Sequence, residues 1–170
     1  MDADALRHLQ APLKEKYKSD AAAALITLKA SGSIASDKIA CKLETGRALA
    51  EAGLHPATGG SGLELCSGDM LLEALVACAG VTLKAVATAI GVELARGDVL
   101  AEGDLDFRGT LGVDKSASVG FQAIRLRFDI ETSAPQDKID QLIKLTERYC
   151  VVYQTLARPP SLTVSVTKSA

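Results

Sequence analysis

Apolar and polar residues alternate along several stretches of this chain, which is the pattern of a β-strand with one covered and one wet face. The clearest stretch is Phe121–Thr132, where isoleucine, leucine and phenylalanine occupy every second position and charged residues occupy most of the others. The same period of two predicts four further strands. They are Ala24–Ser31, Lys38–Thr45, Val99–Leu111 and Ser161–Lys168, with a turn over Ser31–Asp37.

The last of these strands lies close to the end of the given sequence. Its apolar residues, Leu162, Val164 and Val166, are separated by serine and threonine. We therefore expect these three side chains to point inward, toward the core.

One segment is apolar on nearly all sides: Gly68–Ile90, with the sequence GDMLLEALVACAGVTLKAVATAI. A helix of this length matches the thickness of a bilayer. However, it contains Asp69, Glu73 and Lys84, and no positively charged flank accompanies it. We expect a helix that ends near Gly91 and forms the centre of a soluble core, or packs against a partner subunit.

Helical periodicity recurs later in the chain. Ser133 is the predicted N-cap of a helix that reaches about Arg148, with Pro135 in its first turn. A short helix is expected from Cys150 to Ala157, because two prolines follow it. The apolar face of the longer helix is expected to comprise Ile139, Leu142, Ile143 and either Leu145 or Thr146.

The order of these elements predicts an α+β fold with antiparallel sheets and a long central helix. Residues 1–170 are expected to form a single domain. An amphipathic pattern over Asp4–Lys18 predicts a helical N-terminal extension within residues 1–20, although Pro12 lies inside it.

Composition argues against several classes of function. The formal net charge is -2 and aromatic residues are few, with three tyrosines, three phenylalanines and no tryptophan, so neither nucleic acid nor an anionic membrane is an expected partner. The two histidines have no cysteine or histidine at metal-ligand spacing, and no cofactor is expected. Four irregularly spaced cysteines and no apolar leader predict a cytoplasmic protein with reduced thiols.

Two of the cysteines are candidates for redox chemistry. Cys78 lies in the middle of the long apolar helix, where burial would raise its pKa and make it inert. Cys150 stands at a predicted helix start, where the helix dipole favours a thiolate. The residues alone leave two interpretations open, namely core filler or a redox pair.

The segments around these two cysteines resemble the OsmC/Ohr family of thiol peroxidases. SGDMLLEALVACAGVTLKAVA is similar to the family's Pro-x-Glu-Leu-Leu-x-Ala-Ala-x-x-x-Cys motif on a long central helix. ERYCVVYQTL is similar to its second cysteine, which begins a short helix in a Cys-x-Val-x-x-x-Leu context. The order of the two segments and the β-rich block between them agree with the family.

This resemblance implies an intertwined homodimer in which the two long helices cross and both subunits contribute to each site. It also implies reduction of organic hydroperoxides and hydrogen peroxide. Cys78 would be the peroxidatic cysteine and become a sulfenic acid, and Cys150 would resolve it as a disulfide that an external dithiol reduces. An apolar pocket at the dimer interface would favour organic peroxides.

The family also supplies a cation for the thiolate, an arginine from the early β-region that an acidic residue holds. The early strands have no arginine, so Arg47 is the candidate and Arg148 a second one. Asp69 takes the acidic position. It precedes Cys78 by nine residues, about 180° and roughly 13 Å along a helix, so we expect it to serve the partner's site.

Two other functions stay open. One is a non-enzymatic protein that binds an apolar ligand at the dimer interface, which the lack of an early arginine favours. The other is a thiol redox sensor without turnover. The presence of both cysteines argues against a role in binding alone.

Overall fold

The computed structural model describes residues 3–34, 41–43, 52–63 and 65–168 of the chain. Within them the helices are α1 (Ala3–Ser19), α2 (Ser67–Ile90), α3 (Phe107–Thr110), α4 (Gln136–Tyr149) and α5 (Val151–Ala157). The strands are β1 (Leu25–Ile34), β2 (Cys41–Leu43), β3 (Ala52–Gly53), β4 (Leu65–Cys66), β5 (Arg96–Asp106) and β6 (Ala123–Glu131). Short 3-10 turns occupy Ala21–Ala24 and Pro56–Thr58.

Four of the strands form one antiparallel sheet in the order β2-β1-β5-β6. In β5, Val99, Ala101, Gly103 and Leu105 alternate as buried residues, which confirms the predicted period of two. In β6 the apolar positions are half-buried and the charged positions are exposed. With α2, this sheet confirms the predicted α+β class.

Helix α2 packs against β1, β5, α4 and α5. Its length and composition alone would allow it to cross a membrane, and in the described part of the chain it alone meets that test. Its packing is that of a core helix, because a row of its side chains is buried against the sheet and the other helices. These residues are Leu72, Leu75, Val76, Ala79, Gly80, Leu83, Val86 and Ala87.

The predicted end of α2 at Gly91 is confirmed. Gly91 has φ 70°, in the left-handed region that glycine adopts without a Cβ penalty. Its N–H and that of Val92 bond to carbonyl groups in the last turn, so the helix ends with its backbone groups paired.

The core divides along α2. The first half of the helix packs with Val99, Ala101 and Phe107, and Cys150 belongs to this group. The second half packs with Val92 and Leu142. Cys78 is half-buried against the first group, so both thiols lie in the same part of the core.

Several predicted boundaries were wrong. Strand β1 continues to Ile34, so no turn begins at Ser31, and the rest of the predicted turn lies outside the described residues. Strand β5 ends at Asp106 instead of Leu111, because the Asp106 carboxylate accepts the N–H of Arg108 and starts the helical turn α3.

Helix α4 differs from its prediction at its start, and the structure decides between the two residues left open for its apolar face. Pro135, not Ser133, is the N-cap, and no side chain caps this end. Thr146 is buried and Leu145 only partly so. The threonine is accommodated because its hydroxyl donates to the carbonyl of Leu142 at 2.8 Å, leaving no unpaired polar group in the core.

The predicted last strand is absent from the fold of the single chain. Residues 160–168 have neither helical nor strand structure. Leu162, Val164 and Val166 are 88%, 93% and 89% exposed, so they do not point into the core. Alternation supplies one apolar face, but a strand also needs a neighbouring edge to bond to, and this segment has none in the described structure.

Candidate functional site

The corner between α4 and α5 holds Cys150 in place. Cys150 is both the C-cap of α4 and the N-cap of α5, with an extended backbone (φ −71°, ψ 106°). Its N–H bonds to the carbonyl of Thr146 at 2.9 Å, and its carbonyl accepts the N–H of Gln154 at 2.9 Å. This corner lies against α2 and brings the start of α5 to Cys78.

Four hydrogen-bonding groups lower the pKa of the Cys78 thiol. They are the backbone N–H groups of Val151 and Val152, the thiol of Cys150 and the hydroxyl of Thr82. Thr82 follows Cys78 by four residues on α2, so the two side chains lie on the same helix face, one turn apart.

These donors decide the protonation of Cys78. Burial alone would raise the pKa of this thiol. The hydrogen bonds from Val152, Cys150, Val151 and Thr82 outweigh burial, and the pKa of Cys78 is lowered. Cys78 is half-buried, so its sulfur lies close to the protein surface as well as to these donors.

Cys150 is shifted in the opposite direction. Its side chain is 1% exposed, and burial raises its pKa to about 11. The backbone N–H of Tyr153, 3.4 Å from the sulfur of Cys150, lowers this pKa and only partly offsets burial. The interaction with Cys78 raises the pKa of Cys150 further. Cys150 is therefore protonated at neutral pH.

The two pKa shifts differ from what the local surroundings of each cysteine suggest. Burial raises the pKa of Cys78, as predicted, but the hydrogen-bonding groups around it outweigh burial. The helix start at Cys150 favours a thiolate, but burial is the larger effect there and raises the pKa of this thiol. The peroxidatic role that the resemblance implies for Cys78 stays a prediction.

The structure places Asp69 away from the thiol pair of its own chain. Asp69 is half-buried near the start of α2, where burial raises its pKa and the charge of His55 opposes the rise. Glu73, one turn later, also has a raised pKa, from burial and from the charge of Asp69. That Asp69 contributes to the site of the partner subunit stays a prediction.

The described structure places one of the two candidate arginines, Arg148, and does not place it beside Cys78. Arg47 lies outside the described residues. The guanidinium of Arg148 lies 5.5 Å from the ring centroid of Tyr149, an exposed side chain. Among the groups that the described structure places around Cys78, the ones that lower its pKa are hydrogen-bond donors without a formal positive charge.

His55 and Cys66 lie beside the start of α2. The His55 ring stacks on Phe107, with centroids 5.0 Å apart, and its Nδ1 accepts the N–H of Ala57 at 3.0 Å. Cys66 is the N-cap of α2, and its side chain makes no capping hydrogen bond. Within the described part of the chain, no three side chains of the metal-binding types are grouped.

An apolar pocket was predicted at the dimer interface, and the single chain has a mostly apolar cleft beside the helices α2 and α5; its position at an interface stays a prediction. The cleft measures about 350 Å³ and lies between α2, β6 and α5. Neither cysteine lines the cleft. Two of its lining residues are linked to the thiols: Leu75 precedes Cys78 by three residues on α2, and the backbone N–H of Tyr153 donates to the sulfur of Cys150. Its apolar lining includes Leu75, Phe121, Ile124, Leu126, Tyr153 and Leu156.

Comparison with known proteins agrees with this fold. A crystal structure of an OsmC-like hydroperoxide resistance protein from Jannaschia sp. CCS1 has a similar fold, with a TM-score of 0.58 and 17% sequence identity over 85% of this chain and 97% of that chain. A search of curated proteins gives no match. The model of the family described as OsmC-like protein matches residues 59–165. Because this match covers more than half of the sequence, the chain belongs to the OsmC-like protein family.

Proposed function

We propose that this chain is a thiol-dependent peroxidase that reduces organic hydroperoxides and hydrogen peroxide through Cys78 and Cys150. The observation that carries the proposal is that two neighbouring thiols interact and have opposite pKa shifts, lowered for the half-buried Cys78 and raised for the buried Cys150. A hydroperoxide resistance protein of similar fold supports the class of substrate.

In the first step the Cys78 thiolate attacks one oxygen of the peroxide. A sulfur–oxygen bond forms and the oxygen–oxygen bond breaks. The leaving alkoxide takes a proton from water and departs as an alcohol. Cys78 is oxidised to a sulfenic acid, and the peroxide is reduced by two electrons.

In the second step Cys150 resolves the sulfenic acid. Its sulfur bonds to the sulfur of Cys78 while the sulfur–oxygen bond breaks, and the proton of Cys150 leaves with the hydroxyl group as water. The packing of Cys78 against the core cluster that contains Cys150 supports this step, because the two thiols belong to the same part of the fold. An external dithiol then reduces the disulfide and is itself oxidised.

The apolar cleft supports a preference for organic peroxides. A hydrocarbon group bound against Leu75 and Leu126 would leave the peroxide end near the thiols. Turnover of cumene hydroperoxide and hydrogen peroxide at equal efficiency would contradict this preference.

The proposal includes a homodimer in the cytoplasm, where an external dithiol and reduced thiols are available. Arg47 remains the proposed cation for the thiolate and Asp69 a contributor to the partner's site. Arg47→Ala should then slow peroxide reduction while Arg148→Ala should not. Equal rates for the two variants and the unaltered protein would remove the arginine from the mechanism.

The decisive experiment maps the disulfide. The reduced protein is treated with one equivalent of cumene hydroperoxide and digested for mass spectrometry. We expect a bridge between Cys78 and Cys150 within seconds, in the unaltered protein and in the control Cys66→Ser. Cys78→Ser should form no bridge, and Cys150→Ser should accumulate a sulfenic acid that dimedone traps.

The outcomes separate the proposal from its alternatives. An unmodified Cys78 that still reacts with iodoacetamide after peroxide treatment would contradict any peroxide chemistry and leave ligand binding in the cleft. A disulfide that forms once but is not recycled by any dithiol would indicate a redox sensor. Continued oxidation of a dithiol, with peroxide consumed in equal amount, establishes the peroxidase.

A further inference from the structure

A second apolar cavity lies beside the cleft, toward the start of α2. It measures about 380 Å³, and Leu71 is one of the α2 residues that line it, whereas Leu75 lines the cleft. Residues four apart on a helix lie on the same face, one turn from each other. The second cavity and the cleft are therefore neighbours along α2.

The second cavity is lined mainly by apolar side chains. On the side of the sheet its lining includes Leu105, near the end of β5, and Phe107. Leu54, Leu71 and Val119 also line it and are 44%, 38% and 63% exposed, so the cavity is open to solvent. A concave apolar site of this volume can hold a hydrocarbon group. The peroxidase steps proposed above use none of these residues.

Phe121 stands between the two cavities. Of the described residues that line them, Phe121 alone lines both. Val119 and Gly120, which precede it, line the second cavity, and the residues that follow it, Gln122 to Ile124, line the cleft. The chain thus passes from one cavity to the other at Phe121, and this residue forms the wall that they share.

Gly103 leaves the space in which the ring of Phe121 lies. A Cβ atom at position 103 would be 2.4 Å from Cε1 of that ring, far closer than two carbon atoms pack. The ring therefore occupies the place of the missing side chain, on the face of β5 that also carries Ala101 and Leu105. This face shares the core with α2, so the ring fills the layer between the sheet and the helix.

We propose that Phe121 is a specificity-determining residue, which closes the cleft off from the second cavity and so limits the length of the organic hydroperoxide. This rests on the proposed function, in which the hydrocarbon group of the substrate occupies the cleft. The chain thereby selects compact alkyl and aryl hydroperoxides over long-chain ones. Without the ring the two cavities become continuous, and a long chain extends past position 121 toward Leu71.

Peroxide kinetics test this wall. In Phe121→Ala, kcat/KM for decyl hydroperoxide should rise by about tenfold or more relative to that for cumene hydroperoxide, because the end of the chain gains an apolar site. Phe121→Leu should shift this ratio less, in the same direction, and decides the test if the alanine variant does not fold. Phe128→Ala removes the same ring from a β6 residue that lines neither cavity, and should leave the ratio unchanged. A ratio that stays constant at position 121, or rises equally in Phe128→Ala, would overturn the proposal.

Refilling the second cavity tests whether the long chain enters it. Leu71→Phe adds volume to the lining, so in the Phe121→Ala background it should remove the gain for decyl hydroperoxide. With Phe121 in place, Leu71→Phe should change the ratio of the two substrates little, because the wall keeps both of them in the cleft. A gain that persists in the double variant would overturn the proposal.

Binding of unreactive alcohols separates the wall from peroxide chemistry. Isothermal titration calorimetry of the reduced protein measures the affinity for decanol and for cumyl alcohol. Phe121→Ala should bind decanol about tenfold more tightly and cumyl alcohol about equally. This gain in a protein that forms no Cys78–Cys150 disulfide would contradict the peroxidase and support the wall. Peroxide turnover with the same preference for chain length in every variant would support the peroxidase and overturn the wall.

Discussion

Cys78 and Cys150 are neighbours in the fold, and their interaction makes two chemically identical groups behave differently. It lowers the pKa of Cys78 and raises that of Cys150. Burial of Cys150 and the backbone donors at the start of α5 act in the same two directions. A half-buried thiol of lowered pKa and a buried thiol of raised pKa are thus neighbours within the single chain.

The two thiols should react with iodoacetamide in a fixed order. The thiolate is the reactive form, so alkylation of a cysteine speeds up as the pH rises toward its pKa. Cys78, with its lowered pKa, should be labelled first at neutral pH. Cys150, with a pKa of about 11, should stay unlabelled until strongly alkaline pH. Peptide mapping after short pulses measures this, and earlier labelling of Cys150 would contradict the assignment.

Removing the hydroxyl of Thr82 should weaken the Cys78 thiolate. Thr82→Val keeps the shape of the side chain but loses a donor, so the alkylation profile of Cys78 should move to higher pH. One hydrogen bond of ordinary strength corresponds to about twofold to tenfold slower alkylation at neutral pH.

Two further variants make this test specific. Thr82→Ser restores the hydroxyl and should restore the profile. Thr88→Val lies on the same helix, where its hydroxyl bonds to the carbonyl of Lys84, and should leave Cys78 unchanged. A shift of equal size in Thr88→Val would show that the effect came from the helix and not from the hydroxyl.

Filling the cleft should discriminate between substrates. Leu126→Phe adds volume to the lining, so kcat/KM for cumene hydroperoxide should fall by about tenfold or more, while that for hydrogen peroxide should change little. Ile130→Phe enlarges a residue on the same face of β6, outside this cleft, and serves as the control. An equal loss for both peroxides would indicate general damage to the site.

The stability of the fold should fall at acid pH as Asp106 becomes protonated. Its carboxylate is 1% exposed and accepts hydrogen bonds from Nε of Arg108 at 3.0 and 3.1 Å, which lower the pKa of Asp106 against the effect of burial. Because folding lowers the pKa, the Asp106 carboxylate stabilises the fold fully above its unfolded pKa, about 4. This stabilisation is lost as the pH falls through the lower pKa of the folded state.

Asp106→Asn should therefore lower Tm at pH 7, and the difference from the unaltered protein should shrink below about pH 4. Differential scanning calorimetry from pH 7 to 3 measures it. Asp137→Asn, at an exposed position, should show no such pH dependence. A constant difference across this range would show that Asp106 acts by shape and not by charge.

Leu142 should be essential to the second half of the core. It is fully buried between α4 and the end of α2, so Leu142→Ala leaves a cavity and should reduce the free energy of unfolding by about 2–5 kcal/mol. Lys144→Ala, on the exposed side of α4, should change it by less than about 0.5 kcal/mol. Urea unfolding of both variants at one protein concentration measures the difference, and similar midpoints would contradict this view of the core.

The sequence by itself determined the elements that depend on local periodicity. Helix α2, its end at Gly91 and the alternating strands β5 and β6 follow from the spacing of apolar residues and from one glycine in the left-handed region. The two redox candidates were also visible in the sequence. Periodicity depends only on the order of residues in the chain, so the elements predicted from it are present in the fold.

The tertiary structure decided which thiol is acidic, where the apolar cleft lies and what becomes of the last predicted strand. The pKa of Cys78 depends on donors from α5, which is more than seventy residues away in the chain, and no local pattern reports that contact. The fate of Ser161–Lys168 depends on the presence of a sheet edge, because a strand is defined by its neighbour as well as by its own residues. Hydrogen bonding and burial between distant segments, which only packing creates, decided all three.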